Sequence, residues 1–262
     1  MRLTTNQIEE IAALLEDAEV NRREISKITK KYPELTLDEA YEVQWAIRRR
    51  KVERGTRIVG MKMGVTSRSK MKQMGINEPV YGFLADYFSQ PDGGAIETDR
   101  LLHPKVEPEL AFITKRPLWG PGCHIGDVLA ATDFIMPAVE IIDSRYKNFD
   151  FDLVSVVADN TSASRFVVGG RPGDAAALDM RTIGVVLEKN GIVQEVGAGA
   201  AVLGHPAESI ALLANMLAAR GETIPEGSLI LSGGITAALA VQAGDSIVMR
   251  AQGLGTVSMH FT

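Results

Sequence analysis

A single cysteine, Cys123, in 262 residues excludes an intramolecular disulfide and any multi-cysteine zinc or iron–sulfur site. A reducing, cytoplasmic setting is the resulting expectation. Neither sign of charge dominates: 28 Lys and Arg face 33 Asp and Glu, a formal net charge of -5. The chain therefore exerts no overall attraction on nucleic acid or an anionic membrane. The N-terminus, MRLTTNQIEEIAALLEDAE, carries charges inside its apolar pattern, unlike a targeting segment. No run approaches the roughly 18 apolar residues expected of a membrane span. GVTSRSKM and RPLWGPG lack the Gly-Lys-Ser/Thr ending of a phosphate loop, no GxGxxG opens a helix after a strand, and no GxSxG elbow occurs. These absences argue against nucleotide chemistry and against an α/β-hydrolase nucleophile. His103, His124, His205 and His260 are scattered, with no zinc-type pair among them.

What is present suits one or two globular domains, since 45% of the residues are apolar. Asn6 with Glu9 reads as a capping box before Ile8, Ile11, Leu14 and Leu15 at helical spacing. Thr36 with Glu39 repeats that signature ahead of Ala40, Val43 and Ile47, and Gly55 suits the helix end. Beyond Gly55 the pattern changes to short β-type runs: RIVGMKMG, PELAFIT, FIMPAVEII, VSVVA, RFVVGG, IGVVLEKNGIVQEVG, SLILSGGI, DSIVMRA and TVSMHF. Asn190-Gly191 is a two-residue hairpin signal. Residues 206–220 read as a helix with Pro206 near its first position and Gly221 beyond its end. Strands outnumber helices and alternate with them irregularly, which predicts an α+β chain rather than a doubly wound sheet. The expected division is a mainly helical portion with one strand over 1–80 and a β-rich metal-binding domain over 81–262. Ten Lys and Arg against the single acid Glu53 between 46 and 72 mark either an anion-attracting mouth or a solvated helix face.

The segment His103-Pro104-Lys105-Val106-Glu107-Pro108-Glu109-Leu110 carries the clearest chemical signal. In a strand, Lys105, Glu107 and Glu109 share one face while Val106, Leu110 and Phe112 fall mostly on the other. Two carboxylates so placed can grip one hard cation, or face solvent on an edge strand. Glu140 interrupts the apolar run MPAVEII and would be buried unpaired without a partner. Three carboxylates suit Mg²⁺ or Mn²⁺. Alternation puts Lys62 on the face of Gly60 and Gly64, where absent side chains would leave room for a ligand, with Val59, Met61 and Met63 toward the core. An ordinary exposed lysine is the other reading. Ser232-Gly233-Gly234-Ile235-Thr236 could offer N–H groups and a hydroxyl to a carboxylate, or form a plain turn.

Glu107-Pro108-Glu109, Glu140 in AVEIIDSRY, VVADN at 156–160 and SGGIT at 232–236 resemble the fumarylacetoacetate hydrolase superfamily. The resemblance runs over nearly the whole length and is to the branch containing 2-hydroxypentadienoate hydratases and 4-oxalocrotonate decarboxylases. GMKMGVTSRSKMKQMG, EPVYGFLADYF, HPKVEPE, DSRYKNFDFDLVSVVADN and LGHP are closer to the decarboxylases. Hydratases of the branch commonly carry an acid where this chain has Val80, in Pro79-Val80-Tyr81-Gly82. The resemblance implies a mixed-sheet roll or sandwich after the helical portion. It also implies metal-dependent decarboxylation of 2-oxohex-3-enedioate, a small dicarboxylate, in aromatic catabolism. Its site would use Glu107, Glu109 and Glu140 as metal ligands, Lys62 as the catalytic residue, and Lys105, Asn160 and Thr236 toward substrate. A homo-oligomer associated with the hydratase is implied as well. Three alternatives stand beside it: a hydratase, a metal-free Schiff-base decarboxylase acting through Lys62, and a non-enzymatic subunit that stabilises a catalytic partner.

Overall fold

The computed structural model describes residues 2–68, 71–72 and 76–262; residues 69–70 and 73–75 of the GMKMGVTSRSKMKQMG motif lie outside the described residues. Helix α1 (Thr5–Val20) begins two residues earlier than Asn6 and Glu9 predict. Thr4, still extended, accepts from the Gln7 N–H, and Gln7 reaches back to complete the box. Helix α2 (Leu37–Glu53) starts at the predicted Thr36–Glu39 box and is followed by Gly55 at φ +92°. The cationic run of α2 pairs with α1 and forms no mouth; Arg49 and Arg54 stay exposed, as on a solvated helix face, while Lys51 is buried. Buried Glu16 of α1 takes Arg50, Lys51 and Arg54, while Glu9 takes Arg49.

The β-type runs form two mixed sheets. The strands of the first are β1 (Ile58–Gly64), β2 (Val80–Ala85), β3 (Ser89–Gln90), β5 (Lys105–Thr114), β6 (Thr132–Ile142), β7 (Ala163–Val168) and β10 (Leu229–Leu231), in the order β2-β1-β10-β5-β6-β7-β3. Strand β11 (Leu239–Ala240) also pairs with β5. The second sheet orders β4 (Ala95–Ile96), β13 (Gly255–Phe261), β12 (Ser246–Ala251), β8 (Gly184–Lys189) and β9 (Ile192–Ala198) as β4-β13-β12-β8-β9. The predicted hairpin joins β8 to β9, with Asn190 at φ 54° and Gly191 at φ 76°. Strands β12 and β13 lie against β6, so the two sheets stack as a sandwich.

Three further α-helices stand among the named elements of the described residues. One of them corrects the sequence reading: VSVVA lies in helix α4 (Leu153–Ala158), not a strand. Asp152 caps it by accepting from the Ser155 N–H at 3.0 Å, a local device that overrides the β-branched run. Helix α3 (Ile125–Ala131) was not anticipated. Helix α5 (Pro206–Ala218) has Pro206 in its first turn, as predicted, and His205 as its cap. By length and composition the segment Gly199–Ala218 could cross a membrane, contrary to the sequence expectation. Here it supplies a core helix, burying Ala207, Ile210, Leu213, Ala214 and Leu217. One apolar cluster runs from Ile8 in α1 to Phe261 in β13. The division expected after residue 80 falls within β2, which pairs with β1 and shares its apolar cluster.

Candidate active site

Register brings the acidic residues together. Glu107 on β5 sits directly opposite Glu140 on β6, and Glu109 shares the Glu107 face two residues on. Ligand oxygens of Glu107, Glu109 and Glu140 lie within 4.8 Å of one another. The turn at 232–236 explains how β5 tolerates Pro108. Strand β10 pairs with β5 only as far as Leu231↔Ala111, and β11 rejoins it at Leu239↔Val106. Between them the Ser232 N–H donates to Leu110 O and the Ile235 N–H to Pro108 O. The Gly233 N–H donates to Glu109 Oε2 at 2.7 Å. A Cβ on Gly233, at φ +102°, would meet Thr66 Oγ1 at 2.3 Å, and one on Gly234 would meet the Glu107 carboxyl carbon at 3.1 Å. The two glycines let the backbone close over the carboxylates. The predicted N–H donor is therefore present, and its acceptor is the protein's own Glu109.

Lys62 reaches the same cluster from β1. Its Nζ lies 3.1 Å from Glu140 Oε2 and donates to Thr161 O at 3.2 Å. Strands β1 and β6 are three steps apart in the sheet order, so this contact requires the sheet to curl around its inner face. Lys62 is 2% exposed and Glu140 0%; the exposed-lysine and edge-strand readings are both overturned. The glycine-cleared space is corrected too. A Cβ on Gly60 would collide with Leu229 O at 1.7 Å, and one on Gly64 would meet Thr161 Cγ2 at 2.7 Å. Both glycines permit close backbone packing. Val59 packs in a different apolar cluster from Met61 and Met63 because a bulge between Ile58 and Gly60 breaks the alternation.

Burial alone would push Lys62 down, but Glu140, then Glu107 and Glu109, hold it above the ordinary lysine value. Burial, reinforced by Glu140 and Glu107, drives Glu109 well above the usual carboxylate range. Burial pushes Glu140 up to about 7, with Lys62 pulling it back. Glu109 Oε1 and both Glu140 oxygens are buried without hydrogen-bond partners among the described residues; Lys62 meets Glu140 as an ion-pair contact. Fully ionised, three carboxylates and one ammonium leave two net negative charges. Orphaned buried oxygens carrying that charge fit a hard divalent cation with oxygen ligands.

The cluster opens onto a cavity of about 720 Å³ whose lining combines polar Lys62, Lys105, Glu107, Asp152, Thr161 and Ser162 with apolar Ile142, Phe149, Phe151, Leu153 and Val156. Lys105 Nζ stands 3.8 Å from the Phe149 ring centroid. Phe149 holds φ +60° and Asn148 φ +57°, a backbone conformation unfavourable for so bulky a residue as Phe. Two expected substrate residues are not among those lining this cavity. Asn160 spends its amide on β2, accepting from the Phe83 N–H at 2.9 Å and donating to Phe83 O at 3.0 Å. The Thr236 hydroxyl donates to Ala237 O at 3.1 Å. Sequence reasoning missed the cavity-lining Phe149, Phe151 and Ser162; the Asp152 cap just beyond the aromatic pair was the one local signal that the chain turns there.

No protein-family model matches the chain. It is 61% identical over 259 residues to the 4-oxalocrotonate decarboxylase of Pseudomonas sp. (strain CF600), covering 99% of this chain and 98% of that protein. It is 38% identical over 257 residues to the 2-oxo-hept-4-ene-1,7-dioate hydratase of Escherichia coli, covering 96% of each. Its structure matches that of 4-oxalocrotonate decarboxylase from Pseudomonas putida G7, complexed with magnesium and adipate, with TM-score 0.98 and 58% identity, covering 100% of this chain and 99% of that one. The chain belongs to the 4-oxalocrotonate decarboxylase family, in the hydratase and decarboxylase branch of the fumarylacetoacetate hydrolase superfamily.

Proposed function

We propose that this chain is a carboxy-lyase that converts 2-oxohex-3-enedioate (4-oxalocrotonate) to 2-hydroxypenta-2,4-dienoate and carbon dioxide in meta-cleavage catabolism of aromatic compounds. The observation that carries the reading is the buried Glu107–Glu109–Glu140 cluster, beside Lys62 and open to a cavity with both polar and apolar lining residues. Its likeness to decarboxylases, at 61% identity against 38% for a hydratase, sets the reaction type.

The substrate is a vinylogous β-keto acid. As the bond to its distal carboxylate breaks, the electron pair moves through the alkene to the 2-oxo oxygen, which takes up a proton to give the dienol. Catalysis therefore requires stabilisation of negative charge at that oxygen. A divalent metal, Mg²⁺ or Mn²⁺, held by Glu107, Glu109 and Glu140, supplies Lewis acidity toward the 2-oxo acid when bound. Lys62, kept protonated by the carboxylates around it, places a fixed positive charge beside the developing oxyanion. Thr161 O and Glu140 restrain its ammonium. Lys105, braced on Phe149, offers a second cation to a substrate carboxylate. Phe149, Phe151, Leu153 and Val156 contribute apolar surface to the cavity and limit the water that reaches the substrate.

The hydratase reading lacks a proton donor at Val80, which is buried and pairs with Gly64 at the cavity edge. The product dienol is what a hydratase consumes, which supports association with that enzyme; the homo-oligomer and a cytoplasmic location belong to the same reading. Supplying the purified chain with 2-hydroxypenta-2,4-dienoate tests the choice of branch. The dienoate should persist, and its efficient conversion to 4-hydroxy-2-oxopentanoate would make the chain a hydratase.

A further inference from the structure

Three successive residues, Asn160, Thr161 and Ser162, adopt left-handed backbone at φ 47°, 53° and 56°. None is glycine, so the turn is strained and must be held by its surroundings. It is held at every residue. Asn160 brackets Phe83 with both ends of its amide, and the Thr161 hydroxyl donates to Tyr81 O at 2.8 Å. The Ser162 N–H donates to Asp159 O at 3.0 Å, while Ser162 O accepts from the Asp143 N–H at 2.8 Å. The buried Arg145 guanidinium ties Asp159 to the same corner.

What this clamp presents is a hydroxyl. Ser162 is 2% exposed, its Oγ has no hydrogen-bond partner among the described residues, and it lines the cavity. Ser155 Oγ is orphaned too, but Ser155 is not among the cavity-lining residues. A buried, unsatisfied hydroxyl is unfavourable, and one carried by a residue of the cavity lining, on a strained backbone, marks a candidate ligand contact.

Register says which part of the ligand it meets. Glu107 and Glu140 form one cross-strand pair, and Lys105 with Ile142 forms the pair two residues along, about 7 Å away at the usual strand rise. Ile142 in turn faces Ala163, beside Ser162. Lys105 and Ser162 therefore flank Ile142 in a row set off from the carboxylate cluster by the length of an extended six-carbon diacid. We propose that Ser162 is a substrate-binding residue that donates a hydrogen bond to the distal carboxylate, the one that departs. Together with Lys105 it selects a dicarboxylate over a monocarboxylate and fixes the angle at which the carboxylate leaves. This inference rests on the decarboxylase reading.

Calorimetric titration of the Mg²⁺-loaded protein with adipate and, separately, with pyruvate tests it. The Ser162→Ala variant should bind adipate about 10-fold or more weakly, as expected for loss of a hydrogen bond to a charged group, and bind pyruvate as wild type does. Ser162→Gly relaxes the left-handed backbone while deleting the same hydroxyl, so it must reproduce the selective loss even if the alanine variant folds poorly. Unchanged adipate affinity in the glycine variant, or equal losses for adipate and pyruvate, would overturn the assignment. Failure of wild-type protein to bind adipate at all would instead count against the decarboxylase reading.

Discussion

Glu109→Gln separates the metal role of the acidic cluster from any structural one. The side chain is fully buried. One oxygen accepts from the Gly233 N–H and the other has no hydrogen-bond partner among the described residues. Glutamine keeps the shape and can keep the Gly233 bond through its amide oxygen. Its NH₂ then faces the Glu107 and Glu140 oxygens, within 4.8 Å, and can donate to them. Without metal the three acids crowd one another, and burial with Glu140 and Glu107 already drives Glu109 well above the usual carboxylate range. Removing one acid therefore relieves crowding and sacrifices no protein hydrogen bond, so the variant without metal should melt at or above wild type. Metal binding should respond in the opposite sense. Mg²⁺ at about 100 times its Kd stabilises the folded state by about 2.7 kcal/mol, roughly a 5–10 °C rise in Tm for a chain of this size. In Glu109→Gln, with one of three charged ligands gone, that rise should shrink to about 2 °C or less at the same Mg²⁺ concentration. Thermal melts in EDTA and in Mg²⁺ provide the assay. A variant that melts well below wild type in EDTA yet retains the full Mg²⁺ shift would show that Glu109 serves the fold and not the ion.

Lys62→Met should lower kcat by about 10²–10³-fold while leaving Mg²⁺ affinity nearly unchanged; near-normal turnover removes the lysine from the mechanism, and borohydride trapping of substrate on Lys62 would favour a Schiff base. Asn160→Ala strands the buried Phe83 N–H and C=O and should destabilise the protein by about 3 kcal/mol, read as a fall in urea midpoint with kcat reduced in the refolded fraction; an unchanged midpoint would deny the clamp. His205 caps α5 through Nδ1, which accepts from the Ala207 N–H at 3.1 Å and so requires the neutral ring. Burial, then Arg181, lowers its affinity for a proton from the ordinary 6.5. The stability it contributes is complete above that value and is lost as pH falls below it. The ring is partly exposed and screened, so the loss is a fraction of a kcal/mol, and Tm curves of wild type and His205→Asn should converge between pH 7.5 and 5.5; parallel curves would contradict the sign.

The parts legible in the sequence are those set by local rules. The Thr36–Glu39 box, the Asn190-Gly191 hairpin and the Pro206 start all depend on residues a few positions apart. Glu107 and Glu109 share a face because strand periodicity is two, and Glu140 betrays itself as a charge in an apolar run. What alternation could not supply is long-range placement. The curl that carries Lys62 to Glu140 arises across three strands. The small residues at 60 and 64 gave no sign that Leu229 and Thr161 fill the space beside them. VSVVA misled because a single Asp152 cap outweighs five residues of β propensity. Asn160 was assigned to substrate by resemblance, although its amide is consumed by a strand 77 positions away. The hydroxyl left free by that arrangement, on Ser162, had no signature in the sequence at all.

Carbon dioxide release from 4-oxalocrotonate by the purified wild-type chain tests the central claim most directly, measured in EDTA, after addition of Mg²⁺, and in parallel with Glu107→Gln, Glu109→Gln and Glu140→Gln. The account predicts release equimolar with 2-hydroxypenta-2,4-dienoate, abolished by EDTA, restored by Mg²⁺ and severely reduced in all three variants. Undiminished release in EDTA, or wild-type rates in the three glutamine variants, would contradict it.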